Sequence, residues 1–133
     1  ENRQCLLKGM KTILADSDGF NQSITRKLLD NLGCHLTIVS SWRQCLETLQ
    51  SSRNYYHLLL IDLGIVEEDG SEVIACISKI RLESWLRIVA LTSSSDWDTR
   101  NRSLQRVIHG VICKPIILQE MEDELQMIFH QTR

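Results

Sequence analysis

The sequence is short of several features that define whole classes of protein. Among 133 residues it has one proline, six glycines and 5% aromatic residues, and 17 acidic side chains nearly balance 15 basic ones. This balance argues against a nucleic-acid surface, which normally carries a basic excess. Apolar runs such as Leu58–Ile61 are far too short to cross a bilayer, and no signal-peptide pattern is present. We therefore expect a globular domain without direct membrane contact.

The cysteines and histidines follow no disulfide or metal-binding pattern. The cysteines are odd in number, lie far apart and include no CxxC pair, which predicts reduced thiols; they are Cys5, Cys34, Cys45, Cys76 and Cys113. The four histidines are scattered as well. Because zinc ligands recur at helical or hairpin spacing, the sequence argues against a zinc site.

Short apolar runs alternate with stretches of helical period, which predicts repeated βα units. Five runs are too short for helices and mostly apolar on both faces, as in a covered parallel sheet; they are Thr12–Ala15, Leu36–Val39, Tyr56–Ile61, Ile88–Leu91 and Val111–Cys113. Right-handed crossovers then give an α/β fold with a five-stranded, doubly wound, flavodoxin-like parallel sheet. We expect residues 1–10 to be a linker from a preceding domain and residues 11–133 to be the folded domain.

Apolar spacing and capping residues predict the helices. The first has the stripe Ile24, Leu28, Leu32 and stops at Gly33. Capping boxes predict where helices two and three begin; they are Ser41 with Gln44, and Asp69 with Glu72. The stripe over Asp96–Ile108 is weak, whereas helix five has a regular apolar face made of Leu118, Met121, Leu125 and Ile128.

Polar side chains follow four of the five predicted strands, at the sheet edge where doubly wound folds bind ligands. They are Asp16, Ser17 and Asp18 after the first strand, Asp62 after the third, Thr92 after the fourth and Lys114 after the fifth. Singly, each has an ordinary explanation as a helix cap, the start of a loop or a solvated charge. Together, a carboxylate nucleophile, cation-holding acids, a hydroxyl and a lysine are the groups that phosphoryl transfer to an aspartate needs.

These residues and their spacing resemble the receiver (response-regulator) domain of two-component signalling, over roughly residues 10–130. The family has an acidic pair after strand one, DxxMPxMDG after strand three, Thr or Ser after strand four and KP after strand five. The present chain has DSD at 16–18, DLGIVEEDG at 62–70, Thr92, and Lys114–Pro115, for which the family implies a cis peptide bond.

The resemblance implies a role for each matching residue. Asp62 would accept a phosphoryl group from a phosphohistidine on a histidine kinase, a kinase-like domain or a histidine phosphotransfer protein. Thr92 and Lys114 would contact that group. Asp16, Asp62 and the backbone carbonyl of Gly64 would hold Mg²⁺, which prefers oxygen ligands and keeps several waters.

The chain departs from the family pattern in three places. Ser17 replaces the second acid, which weakens the expected Mg²⁺ site; Asp18 can reach the cation only indirectly, and we favour a role for it as the cap of helix one. Val111 stands where the family has a switching aromatic residue. Ile65–Val66 replaces the common Met-Pro, which leaves the loop after Asp62 free to take another path.

A narrower resemblance is to the carboxyl-terminal receivers of plant ethylene receptors, especially their second subfamily. It rests on LGC at 32–34, TIVSS at 37–41, CL at 45–46 and EMEDEL at 120–125. It implies a parent with a copper-dependent ethylene-sensing membrane part, a GAF domain and a kinase-like domain, in the endoplasmic reticulum membrane with this domain on the cytosolic face. It also implies a downstream signalling kinase as a partner, and it leaves a homodimer open.

Two other functions stay open at this point. A pseudo-receiver would keep the fold but act only as a docking module without phosphorylation. A small haloacid-dehalogenase-like phosphatase would use the DSDG run at 16–19, with Asp16 as nucleophile and Asp18 as acid-base, although that leaves Asp62, Asp69 and Gly70 unexplained. No stand-alone enzyme is expected on the receiver interpretation, because the domain would catalyse at most its own phosphorylation and dephosphorylation.

Overall fold

The protein has the predicted α/β architecture. The structure is a computed structural model that describes residues 7–51, 55–69, 71–93 and 102–131. Five parallel strands lie in the order β2-β1-β3-β4-β5, which is the flavodoxin-like order. The strands are β1 (Lys11–Ala15), β2 (His35–Val39), β3 (Leu58–Asp62), β4 (Arg87–Thr92) and β5 (Gly110–Cys113). The described helices are α1 (Gly19–Asn31), α2 (Trp42–Ser51), α3 (Leu63–Asp69), α4 (Ser71–Glu83), α5 (Arg102–Gln105) and α6 (Leu118–Gln131).

Helices cover both faces of the sheet, so the central strands are apolar on both sides. One core cluster joins alternate strand residues to α2, α3 and α4, and the other joins the remaining strand residues to α1 and α6. In β3, all four residues from Leu58 to Ile61 are fully buried. This double burial explains why the strands read as continuous apolar runs instead of alternating ones.

One predicted helix start and one predicted apolar helix face agree with the structure, and one predicted strand start is wrong. The capping box predicted at the start of α2 is formed in part: the Gln44 N–H donates to Ser41 Oγ at 3.1 Å, but Gln44 Oε1 accepts from the N–H of Ser40, one residue before the cap, at 2.7 Å. The apolar face predicted for the fifth helix of the sequence analysis is the buried face of α6, where Met121, Leu125 and Ile128 are buried. The third strand begins at Leu58 rather than Tyr56: the strand pairing starts at Leu58, while Tyr56 packs partly buried against the core with its hydroxyl hydrogen-bonded to Thr37.

The first helix ends where predicted but is rotated about its axis. Gly33 has a φ of +80°, a left-handed conformation that glycine adopts without strain, and its N–H donates to the Asp30 carbonyl. The buried face centres on Thr25 and Leu29, however, while Ile24 is 40% exposed. The predicted stripe was therefore wrong at Ile24.

A helix, α3, stands where we expected a loop after Asp62. Three of its side chains, Leu63, Ile65 and Val66, are buried in the core cluster that also contains α2 and α4. This helix was not predicted, because the segment contains a glycine and two β-branched residues, which have low helix propensity. Burial of the three apolar side chains outweighs that propensity.

The predicted fourth helix is much shorter in the described part of the chain. Only Arg102–Gln105 forms α5, and Asp96–Asn101 lies outside the described residues. The second predicted capping box also falls partly outside, since the side chain of Asp69 and all of Gly70 are not described.

Within the described residues, no helix is long and apolar enough to span a membrane. The division into a linker over 1–10 and a domain over 11–133 stays a prediction, with Leu7 fully buried in the core.

Gly110 lets α6 lie close to β5, and we expect Gly110→Ala to destabilise the domain. A Cβ atom at this position would stand 2.5 Å from Glu124 Oε2, which can rotate away, and 2.7 Å from Cδ1 of the buried Ile128, which has little room to move. Overpacking of this kind costs about 1–3 kcal/mol in the free energy of unfolding. Urea unfolding measures it, and Gly19→Ala is the matched control because a Cβ there meets nothing within 4 Å. An equal effect of the two variants would contradict the packing argument.

Candidate functional site

Two carboxylates meet at the carboxyl edge of the sheet. Strands β1 and β3 are neighbours, and Ala15 is paired with Ile61. The residues that follow this pair, Asp16 and Asp62, therefore lie side by side at the carboxyl edge of the sheet. Asp16 is 1% exposed and Asp62 lies partly buried at the end of β3. The topology thus brings together two of the acids that the sequence singled out, although 46 residues separate them along the chain.

Lys114 bridges these two carboxylates. Its Nζ donates to Asp62 Oδ1 at 2.5 Å and to Asp16 Oδ2 at 3.1 Å, and its side chain is 13% exposed. Burial disfavours the charged lysine, but the hydrogen bonds and negative charges of Asp62 and Asp16 outweigh burial, so the pKa of Lys114 is raised above its ordinary value. The lysine is therefore a fixed positive charge at the site, and the Lys114–Pro115 peptide bond beside it is cis, as the family resemblance implies.

Thr92 lies at the same edge, one strand away from Asp62. In the register of β3 and β4, Asp62 pairs with Leu91, which puts Thr92 one position beyond it. The Lys114 N–H donates to the Thr92 carbonyl at 2.7 Å, so the two residues are tied through the backbone. Thr92 is 1% exposed.

Gly64 contacts the Asp62 carboxylate through its N–H group. That N–H donates to Asp62 Oδ2 at 2.9 Å, so Asp62 caps the first turn of α3. A Cβ atom on residue 64 would lie 2.9 Å from the same Oδ2 atom. The two oxygens of Asp62 are thus held by different groups, Oδ1 by Lys114 and Oδ2 by Gly64.

Asp18 caps α1, as we favoured from the sequence. Its Oδ1 accepts from the Phe20 N–H at 2.9 Å and its Oδ2 from Asn21 Nδ2 at 3.1 Å.

We expect Asp18→Ala to lower the free energy of unfolding by about 1 kcal/mol, the usual cost of losing such a cap. Thermal unfolding followed by circular dichroism measures this, with Asp18→Asn as a control that keeps a capping oxygen. Equal losses in both variants would contradict a capping role.

Gln22 is a supporting residue that the sequence reasoning missed. Its Nε2 donates to the backbone carbonyl of Asp16 and, at 3.1 Å, to Ser40 Oγ. The Asp16 N–H in turn donates to the Val39 carbonyl, and Asp16 Oδ1 accepts from the Asp18 N–H at 3.0 Å. These bonds fix the turn after β1. No sequence signal marks Gln22, because its partners come from other segments.

The residues present fit a hard divalent cation with few protein ligands. Asp16 Oδ2 and Asp62 Oδ1 already converge on one cationic group, the Lys114 ammonium. Mg²⁺ commonly takes one or two carboxylates, with waters and phosphate oxygens as its remaining ligands. Ser17 is exposed and adds no carboxylate, and the described residues contain no group of three or more His, Cys, Asp or Glu placed to hold a metal ion.

A doubly wound sheet with two acids, a threonine and a lysine at its carboxyl edge is the arrangement typical of receiver domains. The response regulator receiver domain family model matches residues 12–126, and the chain belongs to that family. Among curated proteins, ethylene receptor 2 of Arabidopsis thaliana is 38% identical over 131 residues, covering 96% of this chain. Ethylene receptor 2 of Oryza sativa subsp. japonica is 39% identical over 125 residues, covering 93% of it. The chain spans only 17% and 16% of the lengths of these two relatives.

Solved receiver structures share the fold at low sequence identity. The receiver domain protein of Clostridium thermocellum has a TM-score of 0.76 at 17% identity, covering 92% of this chain and 95% of that one. A co-crystal structure of the Saccharomyces cerevisiae histidine phosphotransfer signaling protein Ypd1 with the receiver domain of Ssk1 has a TM-score of 0.73 at 17% identity, covering 90% of this chain and 88% of that one. Identities this low establish the fold alone.

Proposed function

We propose that this chain is a signalling receiver that accepts a phosphoryl group on Asp62 from a phosphohistidine. The observation that carries the proposal is the Lys114 ammonium held between Asp62 Oδ1 and Asp16 Oδ2. It places a fixed positive charge beside the nucleophilic oxygen, where negative charge of an incoming phosphoryl group develops. The relation to ethylene-receptor receivers supports this role.

Each residue of the site has a task in the transfer. Asp62 attacks the phosphorus, the bond from phosphorus to the histidine nitrogen breaks, and an acyl phosphate forms on Asp62. Lys114 moves from the free carboxylate to the new phosphoryl oxygens, and the hydroxyl of Thr92 donates to another of those oxygens. The Gly64 N–H keeps the second Asp62 oxygen oriented.

Mg²⁺ belongs to this proposal. When bound, it neutralises negative charge on the transferring group. Asp16 and Asp62 would hold it, with the Gly64 carbonyl as the third protein ligand that the family resemblance implies. Since Ser17 brings no charge and Asp18 is committed to capping α1, we expect weaker binding than with a full acidic pair.

Helix α1 offers a docking surface for a phosphohistidine protein. Phe20 is 74% exposed and Ile24, one turn later, is 40% exposed, so two apolar side chains face outward. Phe20 lies in the first turn of α1, directly after the Asp16–Asp18 turn, and Asp16 lies next to Asp62 at the sheet edge. A histidine phosphotransfer protein or a kinase-like domain that covers them would bring its phosphohistidine to Asp62.

The second candidate is a pseudo-receiver that docks partners without phosphorylation. The use of both Asp18 oxygens as a cap favours it, because no third carboxylate faces the cation site among the described residues. The two candidates share the fold and differ in their response to Mg²⁺ and to a phosphoryl group.

The experiment that separates them is a series of amide NMR spectra with increasing Mg²⁺, followed by beryllofluoride as a mimic of aspartyl phosphate. For a phosphorylatable receiver we expect saturable shifts at Asp16, Asp62 and Gly64, which extend to Thr92 and Lys114 with beryllofluoride. A wild-type domain that shows neither set of shifts, with the fold intact, would be a pseudo-receiver.

Ser17→Asp restores the second acid of the family pattern, and we expect it to tighten Mg²⁺ binding roughly tenfold or more, because affinity rises with ligand charge. The same NMR titration measures it. Ser23→Asp is a matched control, since Ser23 is an exposed serine on α1 that bonds only the Gly19 carbonyl. Equal tightening in both variants would show a general charge effect and contradict a ligand position at residue 17.

The cellular setting is also part of the proposal. By relation to ethylene receptors, the domain would be part of a membrane receptor of the endoplasmic reticulum and would face the cytosol. Its partners there would be a histidine kinase or kinase-like domain, a phosphotransfer protein and a downstream signalling kinase.

A further inference from the structure

A cavity of about 550 Å³ lies at the end of the sheet opposite Asp62. Residues just before β1, β3 and β4 line it, together with the last turns of α2, α4 and α6. Its apolar lining includes Leu46, Leu49, Tyr56, Ile80, Leu86 and Phe129. A concave, mainly apolar site of this volume is in the size range of small-molecule pockets, about 300–1,000 Å³.

The cavity joins the two halves of the core. Leu86 is buried in the cluster beneath α2 and α4, and Phe129 packs against the cluster beneath α1 and α6. The Arg87 guanidinium carbon lies 5.8 Å from the centre of the Phe129 ring, and its Nη1 donates to the Trp85 carbonyl at 2.8 Å. Arg87 therefore forms one wall of the cavity. The apolar walls are therefore fixed by packing on both faces of the sheet.

The polar groups of the cavity favour an acidic ligand. Lys79 and Arg87 bring two positive charges and Glu83 brings one negative charge, so the lining carries a net positive charge. Lys79 is exposed and has no ion-pair partner among the described residues. His57 accepts the Lys11 N–H on Nδ1 at 3.0 Å, so a neutral His57 keeps its proton on Nε2 and offers a hydrogen-bond donor.

We propose that this cavity binds a small acidic amphiphile, with an apolar body between α2 and α4 and a carboxylate or sulfonate near Lys79. Burial of the apolar body supplies most of the binding energy, and the cationic groups select the acidic head. The site is independent of Asp62, because the two lie at opposite ends of the strands.

Cys76 provides a reporter inside the cavity. It lines the cavity and is a free thiol, as is the exposed Cys113 at the opposite end of the sheet. Cys45 is a second control, because burial raises its pKa to about 12 and so keeps it unreactive. Mass spectrometry of peptides labelled with iodoacetamide distinguishes the cysteines from one another.

The test uses 8-anilinonaphthalene-1-sulfonate as a fluorescent probe and laurate as a competitor. We expect one saturable probe site, displacement by laurate, and slower labelling of Cys76 with unchanged labelling of Cys113. Lys79→Glu should weaken probe binding about tenfold. Lys27→Glu on α1 is the matched control, because it makes the same charge change at an exposed lysine outside the cavity. Both variants should keep the wild-type circular dichroism spectrum.

Three results would overturn the proposal. Unchanged Cys76 labelling at probe saturation would place the probe elsewhere. Equal weakening by Lys79→Glu and Lys27→Glu would show attraction to overall charge only. Protection of Cys76 that grows with protein concentration in the absence of probe, with dimers in sedimentation velocity, would assign the cavity and the 85% exposed Trp85 beside it to an interface between two copies.

Discussion

Asp62→Asn should lose all phosphorylation from acetyl phosphate or a phosphohistidine donor while it keeps the fold. The amide has no nucleophilic oxygen anion, so no acyl phosphate forms. Folding is preserved because Lys114 keeps its hydrogen bond to Asp16, and an asparagine oxygen can still accept from the Gly64 N–H. Hydroxylamine-sensitive phosphate incorporation measures the first effect, and urea unfolding measures the second.

Asp16→Asn is the matched control for this prediction. It makes the same chemical change at the neighbouring carboxylate and leaves the acceptor in place, so phosphorylation should fall but remain detectable. A phosphatase of the haloacid-dehalogenase kind would give the reverse pattern, with turnover of an aryl phosphate lost in Asp16→Asn and kept in Asp62→Asn. Phosphate incorporation that survives Asp62→Asn unchanged would rule out Asp62 as the acceptor.

Lys114→Met should slow phosphorylation about 100-fold or more, the usual cost of removing one preorganised group that stabilises developing negative charge. Methionine keeps a similar length without the ammonium, so Asp16 and Asp62 face each other with no cation between them. The unpaired carboxylates should also lower the free energy of unfolding by about 2 kcal/mol, less than for a fully buried pair because the lysine is partly exposed.

The pH dependence of the stability difference between wild type and Lys114→Met identifies the Lys114 ammonium as the cause of that difference. The pKa of Lys114 is raised in the folded protein, so the stability that its charge contributes is fully present below the unfolded-state pKa of about 10.4. It is lost as the pH rises through the higher folded-state pKa. From pH 7 upward, where both carboxylates stay ionised, wild type and Lys114→Met should therefore converge in stability only in that alkaline range. Their urea midpoints from pH 7 upward measure the convergence.

Two further comparisons test the same contacts. Lys27→Met, at an exposed lysine on α1, should leave both phosphorylation and stability unchanged. Mg²⁺ should raise the thermal midpoint of Lys114→Met more than that of wild type, since a cation can then take the place between the two carboxylates. A Lys114→Met variant with wild-type stability throughout the pH range would contradict a stabilising role for this ion pair.

Local sequence signals located most of the strands and the polar side chains that meet at the carboxyl edge of the sheet. Buried β3 is a run of leucine and isoleucine because both faces are covered, and Ser41 with Gln44 marks the start of α2 through contacts three residues apart. Asp18 was recognised as a cap for the same reason, since its partners Phe20 and Asn21 are close in sequence. Features whose causes lie within a few residues could be predicted.

Features that depend on distant segments could not be predicted in the same way. The α3 helix forms because Leu63, Ile65 and Val66 are buried against α2 and α4, against their own low propensity. Ile24 is exposed because the packing of α1 on the sheet selects Thr25 and Leu29 as its inner face. Gln22 supports Asp16 only because Ser40 lies opposite it.

The parallel α/β class, the family and the residues at the strand ends follow from the sequence, because periodicity, caps and motif spacing depend only on the order of residues along the chain. The folded structure was needed to show that Lys114 bridges Asp16 and Asp62, across 98 and 52 residues of chain. It also shows that Asp62 caps a helix and that a cavity opens at the other end of the sheet. Such contacts arise from strand order and helix packing, which place distant segments side by side.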